Sequence, residues 1–409
     1  MAFVQTNVNY AAEYSAALAQ AYPYLSYFGA IWASENSARY RSGMGKTMYI
    51  PTVTVSGAVD ANRDQITGTF NRNWNNAWQA VELQMDREWS TLCDPMDMAE
   101  TNDVANLANI TRAFVEQQKV PEMDAFLASK LAEFASGFGG TSSESLSSSS
   151  ILGEWDKALA FMTNRRVNRD RVVAYFTPTT YKLLKQATGL TRFVEVTNGI
   201  RDVDRNVARL DGVTIVEVPE DMMKTAYTFT EGWAVDTAHA VQINFILVDP
   251  MAVAAPIKYE VSMMSAPTAQ NKGKYLYYER YYYGAFVLNE RQAGVYAHIA
   301  SAPSAGSLTV TSTAGTAAGS TKIAVTGHGI NSAGGIEDGL KLVYCTGTDA
   351  AVSLSYGTAP DGTKTWVEVT SVPFALTSQT ANKYITLALV NRNTGFTVAG
   401  GNTQLVVGA

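Results

Sequence analysis

Alternating apolar and polar residues predict a long β-hairpin in the first quarter of the chain. Residues 47–55 alternate, and Pro51 confines that strand to a sheet edge. In the segment AVELQMDRE, Val81, Leu83 and Met85 fall on one face of a second strand. The stretch between them, SGAVDANRDQITGTFNRNWNNAW, is too polar for a core and too long for a simple turn. The pattern therefore predicts two alternating arms that carry a long polar tip.

The spacing of apolar residues changes to three and four after residue 100, which predicts a helical rod. The rod is expected to start near Thr101 and to stop at the glycines of 137–140. Pro121 lies inside it, so we expect a kink there. The segment that follows, TSSESLSSSS at 141–150, is predicted by its composition to be a flexible linker.

Residues 151–250 combine helix and strand patterns in the way typical of a compact α/β unit. Apolar residues at helical spacing, with Trp155 among them, predict a helix directly after residue 150. The segments RVVAYF, GVTIVEV and AVQINFILVD predict strands, and Thr177-Pro178 marks the start of a second helix. We therefore expect one α/β domain here.

A run of six tyrosines within KYLYYERYYYGAFVLNERQ, residues 274–292, predicts an unusually long strand. With a period of two, Tyr278, Arg280 and Tyr282 share one face, and neither face is cleanly apolar. Tyrosine has an apolar ring and a polar tip, so it suits a half-buried position at a subunit contact. A long hairpin strand within one monomer explains the run equally well.

The composition changes sharply after residue 300, which predicts a separate all-β domain. Residues 301–409 hold 15 of the 31 glycines, and five basic and five acidic residues balance each other. Short strand patterns recur between turn residues: SLTVTS, TKIAVTG, LKLVYCTG, TWVEVTS, KYITLALVN and TQLVVG. Trp366, Phe374, Leu387 and Leu389 are the expected core residues of this domain.

The amino-acid composition and the charge limit the classes of protein to which the chain can belong. The 409 residues are 46% hydrophobic and carry a formal net charge of −6, which fits two or three globular domains. Without a surplus of basic residues, tight sequence-specific nucleic-acid binding is not expected. No apolar run suggests a membrane span, and MAFVQTNVNYAAEYS does not resemble a signal peptide, so we expect folding in a cytoplasm. Cys93 and Cys345 are expected to be free thiols.

Motifs for catalysis or for metal binding are not found in the sequence. The segment GMGKT at 43–47 leads into a strand, whereas a phosphate-binding loop must lead into a helix. His239, His298 and His328 lack the acidic or histidine neighbours of a local metal motif, so ordinary surface or core histidines are expected. A nucleophile elbow is also missing. We therefore predict no enzyme, no cofactor and no metal site.

Four segments in order give the chain a definite resemblance: TPTTYKLLK, LDGVTIVEVP, NFILVDPMAVAAPIKYE and YYYGAFVLNERQAGVYAHIA. Over about the first 300 residues the chain resembles the HK97-fold major capsid proteins of tailed bacteriophages. No one segment is diagnostic, and their order carries the resemblance. After residue 300 the chain is similar to the Ig-like domains appended to some of these proteins.

The resemblance implies an α+β, HK97-like capsid fold followed by a C-terminal all-β Ig-like sandwich. It divides the chain into an N-terminal arm (1–45), an extended hairpin called the E-loop (46–92), a spine helix region of the peripheral domain (93–140), an axial domain (141–250), return strands of the peripheral domain (251–300) and a surface domain (301–409).

The implied function is self-assembly into an icosahedral shell around double-stranded DNA. The hairpin is expected to reach a neighbouring subunit through Trp74 and Trp78 as apolar anchors and Arg63, Asp64 and Arg72 as polar contacts, with Tyr278, Arg280 and Tyr282 as further contacts. Simple packing within the hairpin is an equal alternative for the two tryptophans.

The implied partners are further copies of the chain in pentamers and hexamers, a separate scaffolding protein and a portal. Contact with packaged DNA is expected to be weak and unspecific. Residues 301–409 could contact glycans or reinforce the shell, and both options stay open. No membrane is expected as a partner, and the implied location is the virion capsid, with assembly in the host cytoplasm. A surface adhesin or carbohydrate-binding protein with a terminal Ig-like module is the rival interpretation.

Overall fold

The computed structural model describes residues 26–34, 36, 41–42, 46–58, 74–100, 106–187, 195–197, 200–202, 207–230, 232–301, 306–331, 333–337 and 339–408. Most of the predicted N-terminal arm and the tip of the hairpin lie outside these ranges. Arg63, Asp64 and Arg72 belong to that tip. Their expected contacts therefore stay predictions.

The helices of the described residues are short apart from two. The α-helices are Gly29–Trp32, Pro95–Glu100, Leu107–Phe114, Val120–Gly137, Ile151–Asn164 and Pro178–Lys185. A π-helical turn is formed by Val115–Lys119, and 3-10 turns by Arg169–Arg171, Glu220–Met222 and Asn289–Gly294. None of the helices in the described part of the chain has the length and hydropathy needed to cross a bilayer.

The predicted hairpin is confirmed. Thr47–Val55 pairs antiparallel with Trp74–Glu82 in unbroken register from Thr47 opposite Glu82 to Val55 opposite Trp74. A short strand, Arg41–Ser42, completes this sheet and pairs only with Tyr49 and Met48. Thr47–Val55 therefore lies between two strands and is not the edge strand expected from Pro51, although the described part of the short strand does not reach Pro51 itself.

The second arm of the hairpin ends earlier than the alternation predicts. A single strand through AVELQMDRE is wrong, because one strand ends at Glu82 and the next begins at Met85. The amide of Leu83 donates to the carbonyl of Lys46 at 2.8 Å, and the buried Gln84 side chain accepts the Ala285 amide at 3.1 Å. These contacts carry the chain from the hairpin sheet to a second sheet. Leu83 and Met85 are buried as expected.

The second sheet, named here the tyrosine sheet, has three antiparallel strands. They are Ile257–Ser265, Tyr275–Tyr283 and Met85–Cys93, with the tyrosine strand in the centre. The strand has nine residues, shorter than the run suggests, and both of its edges pair within the chain. Since Tyr281 and Tyr283 are buried, the odd-numbered face is the inner one.

The predicted rod is confirmed as one helix with an irregularity before the proline. Its first described part begins at Leu107, where Asn106 caps it by accepting the Ala108 amide at 3.1 Å. The π-helical turn stands directly before Val120–Gly137, the stretch that contains Pro121. A proline has no N–H for the regular helical pattern, which explains a wider turn at this place. The stretch Val120–Gly137, named here the spine helix, is buried almost all round.

The predicted α/β unit is built on a six-stranded mixed sheet. In spatial order its strands are Thr141–Ser142, Val295–Ile299, Ile243–Val248, Val173–Phe176, Val213–Glu217 and Arg209–Leu210. Residues alternate between two cores: one lies under the helices Ile151–Asn164 and Pro178–Lys185, and the other faces the spine helix. The resemblance implies a boundary at residue 250 between the axial domain and the return strands. Strands from both sides of that boundary, Ile243–Val248 and Val295–Ile299, pair within this one sheet.

The serine-rich segment at 141–150 is not the flexible linker that its composition predicts. Thr141–Ser142 forms an edge strand next to Val295–Ile299. The Ser142 hydroxyl donates to Glu154 at 2.7 Å, and the Ser147 carbonyl accepts the amide of Ile151 at 3.0 Å. These contacts tie the segment to the sheet and to the helix Ile151–Asn164, so it forms a structured entry into that helix.

Two-stranded pairs complete the first 300 residues, and they connect the larger elements. They are Glu195–Thr197 with Ile200–Asp202, Tyr227–Thr228 with Ala234–Val235, and Val253–Ala254 with Phe286–Val287. The pair at 227–235 lies against the spine helix, since Tyr227 and Phe229 belong to the same core as Phe126.

The C-terminal residues form the expected separate all-β domain. In order of pairing its strands are Val367–Val369, Leu340–Thr348, Tyr384–Asn391, Thr397–Gln404, Gly306–Ala314, Thr321–Gly327 and Phe374–Leu376. One core joins residues from all of them, with Leu387 and Leu389 fully buried and Phe374 packed alongside. The narrower comparison with an Ig-like sandwich stays a prediction.

Two expectations for this domain need correction. Trp366 and Leu354 both pack against a smaller second cluster, so Trp366 is not part of the main core. The last strand is Thr397–Gln404, so it precedes most of the predicted TQLVVG. It contains Gly401, where a Cβ would stand 2.2 Å from the carbonyl oxygen of Leu308, and glycine alone permits this close approach.

Candidate assembly surfaces and an interdomain seam

The outer face of the hairpin is largely apolar and exposed in the part of the chain that the structure describes. Trp74 and Trp78 are 52% and 55% exposed, and Val55 opposite Trp74 is 75% exposed. Cross-strand pairs place all of these side chains on one face, together with Pro51 and Val53. The two tryptophans therefore contact cross-strand neighbours and still leave more than half of their surface open.

The opposite face of the hairpin anchors it to the body of the protein. Met48, Ile50 and Val81 are buried in one cluster with Leu83 and Phe286. Burial of apolar area at about 25 cal/mol per Å² stabilises this attachment. Because these contacts hold the inner face against the body of the protein, the outer face remains exposed.

The tyrosine sheet has a second partly open face. Arg280 binds Asp86 of the adjacent strand in a bidentate pair, at 3.0 Å and 2.9 Å. Burial alone would raise the pKa of Asp86, but hydrogen bonds from Arg280 and Lys46 hold it below its usual value. Tyr278 donates to Glu88 at 3.1 Å. These side chains, expected to contact another subunit, thus already have partners in their own chain.

Exposed apolar side chains lie on this same face. The register places Met263 opposite Tyr278 and Leu92 opposite Leu276. Met263 and Leu92 are exposed, and Tyr282 lies beneath the Arg280 guanidinium with the ring centroid 5.3 Å away. The face thus combines apolar surface with fixed charges.

The inner face of the tyrosine sheet holds a buried ion pair. Arg87 contacts Glu122 of the spine helix, with Nε 2.8 Å from Oε1 and Nη2 2.9 Å from Oε2. Tyr283 donates its hydroxyl to the same carboxylate at 2.9 Å. Burial raises the pKa of Glu122, while Arg87 and Tyr283 act in the opposite direction. This network fixes the sheet against the spine helix.

The C-terminal domain docks on the end of the spine helix through aromatic contacts. The Phe396 ring lies against Gly137, where a Cβ would stand 1.9 Å from Cε2 of the ring. Phe138 meets the same ring edge to face, with centroids 5.6 Å apart. This contact surface between the two domains is named the seam here.

Polar contacts extend the seam to the end of the hairpin. Asn393 accepts the Glu82 amide and donates to the Glu82 carbonyl, both at 3.0 Å, as a neighbouring strand would. Arg392 approaches the Glu82 carboxylate at 3.5 Å. The docked domain leaves the outer hairpin face open, because Trp74 and Trp78 keep their exposure beside it.

Three titratable side chains meet at another part of the seam. Asp236 and His239 follow the strand Ala234–Val235, and His328 lies in a turn of the C-terminal domain. Asp236 Oδ2 lies 2.8 Å from His239 Nδ1 and 3.2 Å from His328 Nδ1. The expectation that these two histidines lack acidic or histidine neighbours is therefore wrong. His298 is buried and lies 3.1 Å from the Asn244 amide nitrogen.

The environment of this cluster lowers the pKa values of Asp236 and His328. Burial alone would raise the pKa of Asp236, but hydrogen bonds from His239 and from the Ala238 amide bring it below its usual value. Burial lowers the pKa of His328, so its ring is neutral at neutral pH. The sequence carried one local sign of this cluster, because Asp236 stands three residues before His239. The contribution of His328 could not be read there, since it comes from the other domain.

Both cysteines are free, as expected, and both are buried. Burial raises the pKa of each thiol, which disfavours the reactive thiolate.

Comparison with known proteins identifies the fold. No family model and no curated protein matches the sequence. The structure resembles the asymmetric unit of the bacteriophage PhiM1 mature capsid, with a TM-score of 0.51 and 12% identity over 71% of this chain and 92% of that one. The chain therefore shares the fold of a phage capsid structure, and the predicted HK97-like fold is confirmed.

Further phage structures give weaker matches. A Mycobacterium phage Che8 chain has a TM-score of 0.48 and 18% identity over 72% of this chain and 98% of that one. The capsid of the cyanophage P-SCSP1u has a TM-score of 0.47 and 14% identity, over 70% and 91% of the two chains.

Proposed function

We propose that this protein is the major capsid protein of a tailed bacteriophage, a structural protein and not an enzyme. The fold it shares with the PhiM1 capsid structure supports this, and one observation on the chain itself carries it. A hairpin anchored on one face presents an outer face on which Trp74 and Trp78 are more than half exposed. Apolar patches of this kind mark interaction sites.

A second copy of the chain is the proposed cover for that face. Copies would form rings of five and six, in which each hairpin lies across a neighbour. Arg63, Asp64 and Arg72 at the tip would add polar contacts. The open face of the tyrosine sheet, with Tyr278, Arg280 and Tyr282, would take part in a further contact. Because each copy is held at several places, modest contacts would add through multivalency into a stable shell.

The other proposed partners follow from the same role. A scaffolding protein and a portal would direct assembly in the host cytoplasm, and the product would be the virion capsid. Contact with packaged double-stranded DNA would be weak, since a chain with a net charge of −6 gains little from counterion release. Residues 301–409 would be displayed outward, and contact with glycans is one option for them.

Assembly of the purified chain is the direct test of this function. Electron microscopy and sedimentation are expected to show shells, sheets, or rings of five and six. A chain that stays monomeric at every concentration, with or without its scaffolding protein, would contradict the proposal.

The variant Trp74→Ser/Trp78→Ser is expected to fold normally and to assemble poorly. Each tryptophan buried at a contact contributes about 1.5–3 kcal/mol, so the concentration needed for assembly should rise at least about tenfold. Circular dichroism should match that of the unchanged chain, because both side chains are exposed in the single subunit.

A matched pair of valines separates this effect from a general loss of apolar surface. Val55→Ser changes the hairpin face, whereas Val406→Ser changes an exposed valine of the C-terminal domain. We expect the first to impair assembly and the second to leave it unchanged. Equal behaviour of the two variants would show that the hairpin face is not the contact.

A further inference from the structure

The cluster of Asp236, His239 and His328 contains side chains that bind metal ions, and they come from two domains. Their ligand atoms all lie within 4.8 Å of one another, and each side chain is half-buried. Neither the fold nor the proposed assembly function gives these residues a role. We propose that they bind one divalent transition-metal ion, with zinc as the best fit, and that the ion clamps the C-terminal domain to the body.

The spacing of the ligand atoms fits such an ion. Zinc binds histidine nitrogen at about 2.0–2.1 Å and carboxylate oxygen at about 2.0–2.2 Å in tetrahedral geometry, which puts ligand atoms about 3.4 Å apart. The two oxygen-to-nitrogen distances here are 2.8 Å and 3.2 Å. These two pairs of atoms would have to separate by only about half an ångström to admit the ion, and the two histidine nitrogens lie within 4.8 Å of each other.

Local structure holds the carboxylate in the required orientation. Asp236 Oδ1 accepts the Ala238 amide at 3.1 Å, which leaves Oδ2 as the atom facing both rings. The Asp236 carbonyl accepts the amides of His239 and Ala240, at 3.2 Å and 2.8 Å. This turn fixes Asp236 and His239 together, and such outer contacts orient metal ligands.

Charge and access also favour a cation. His239 and His328 line a cavity along the seam, so water can reach the open fourth position. Lys130, Glu133 and Glu337 line the same cavity. The Lys130 amine pairs with Glu133 at 2.7 Å. Two carboxylates and one lysine therefore line the cavity beside the two histidines, and the Asp236 carboxylate lies next to both rings.

A hydrogen-bonded cluster without an ion is the competing explanation, and metal titration of the full chain distinguishes the two. After treatment with a chelator, the chain is titrated with Zn²⁺ in a calorimeter and with Co²⁺ in an absorption spectrometer. We expect one ion per chain, a visible Co²⁺ spectrum typical of four-coordination, and a higher melting temperature with Zn²⁺. Mg²⁺ should not bind, since it prefers oxygen ligands.

Substitutions assign the ion to these residues. Asp236→Asn and His328→Asn keep hydrogen-bonding groups but remove preferred ligands. Loss of an outer-shell partner alone weakens metal binding by about 10- to 100-fold, so each variant should weaken it at least as much. Asn393→Ala is the matched control, because it removes a seam contact and no ligand atom. It should keep one ion of unchanged affinity.

Two results would overturn the proposal. One is the absence of saturable Zn²⁺ binding to a chain that circular dichroism shows to be folded. The other is binding that Asp236→Asn and His328→Asn leave unchanged, since the ion would then lie elsewhere. Neither readout requires assembly, so the outcome is independent of the proposed shell function.

Discussion

Replacing Arg87 by methionine is expected to destabilise the chain by about 3–5 kcal/mol, the cost of leaving a buried charge without its partner. Glu122 is buried under the tyrosine sheet, and Arg87 provides its counter-charge through two hydrogen-bonded contacts. Methionine keeps an apolar stem of similar length and removes the charge. Urea unfolding of the unassembled chain measures the difference in the free energy of unfolding.

The loss should depend on pH in a defined direction. The pKa of Glu122 is already raised by burial, and loss of Arg87 removes an interaction that lowers it. A raised pKa in the folded state gives stability that is complete below the unfolded pKa and is lost as pH rises through the folded pKa. The penalty of Arg87→Met should therefore be larger at about pH 8 than at about pH 5.

Two further variants act as controls for this prediction. Arg280→Met makes the same change in a pair with Asp86 that is partly exposed, so it should cost much less than Arg87→Met. Arg87→Met/Glu122→Gln removes both charges and keeps an acceptor for the Tyr283 hydroxyl, so it should recover part of the loss. If Arg87→Met costs no more than Arg280→Met, the inner pair does not stabilise the fold as argued.

The second large effect is expected at Gly137, where a single methyl group should loosen the docked domain. Gly137 is the last residue of the spine helix, where alanine in place of glycine should stabilise by up to about 1 kcal/mol, the value for a helix interior. Here the new Cβ would stand 1.9 Å from the Phe396 ring, which Phe138 also contacts. Overpacking of this kind costs about 1–3 kcal/mol, so Gly137→Ala should destabilise the full chain.

A double-mutant cycle with Phe396→Ala tests the cause. Once the ring is gone, the methyl group has space, and the ordinary helix preference should return. Gly137→Ala should then stabilise the Phe396→Ala chain, which reverses the sign seen with the ring present. The free energy of unfolding of the four chains gives the answer. A Gly137→Ala effect of the same sign in both backgrounds would mean that the seam does not have this packing.

The seam changes the interpretation of the C-terminal residues. Their composition predicts a separate domain, and the fold of 306–408 agrees. The contacts of Phe396, Asn393 and His328 nevertheless join it to the spine helix, the hairpin and the turn at Asp236. If the chain forms a shell as proposed, this domain would be held in a fixed place on each subunit.

Elements with a strong local pattern were predictable because adjacent residues determine them. The hairpin arms and the rod around Pro121 each show a period that only one backbone geometry satisfies. The errors fall where the local pattern competes with a distant contact. The alternation predicts one strand through Gln84. In the structure the strand is interrupted there, and the Gln84 side chain accepts the Ala285 amide. The composition of 141–150 predicts a flexible linker. That prediction is wrong because composition does not reveal a distant contact such as the pairing of Thr141 with Ala297.

The sequence by itself determined the α+β class, the order of the elements, the separate β-rich C-terminal part and the resemblance to capsid proteins. Only the tertiary structure decided which surfaces stay open and which residues meet. Arg87 and Glu122 are 35 positions apart, and His328 is about 90 positions from Asp236. The physical reason is that burial and charge pairing depend on distance in space, whereas a sequence pattern reports the periodicity of one segment.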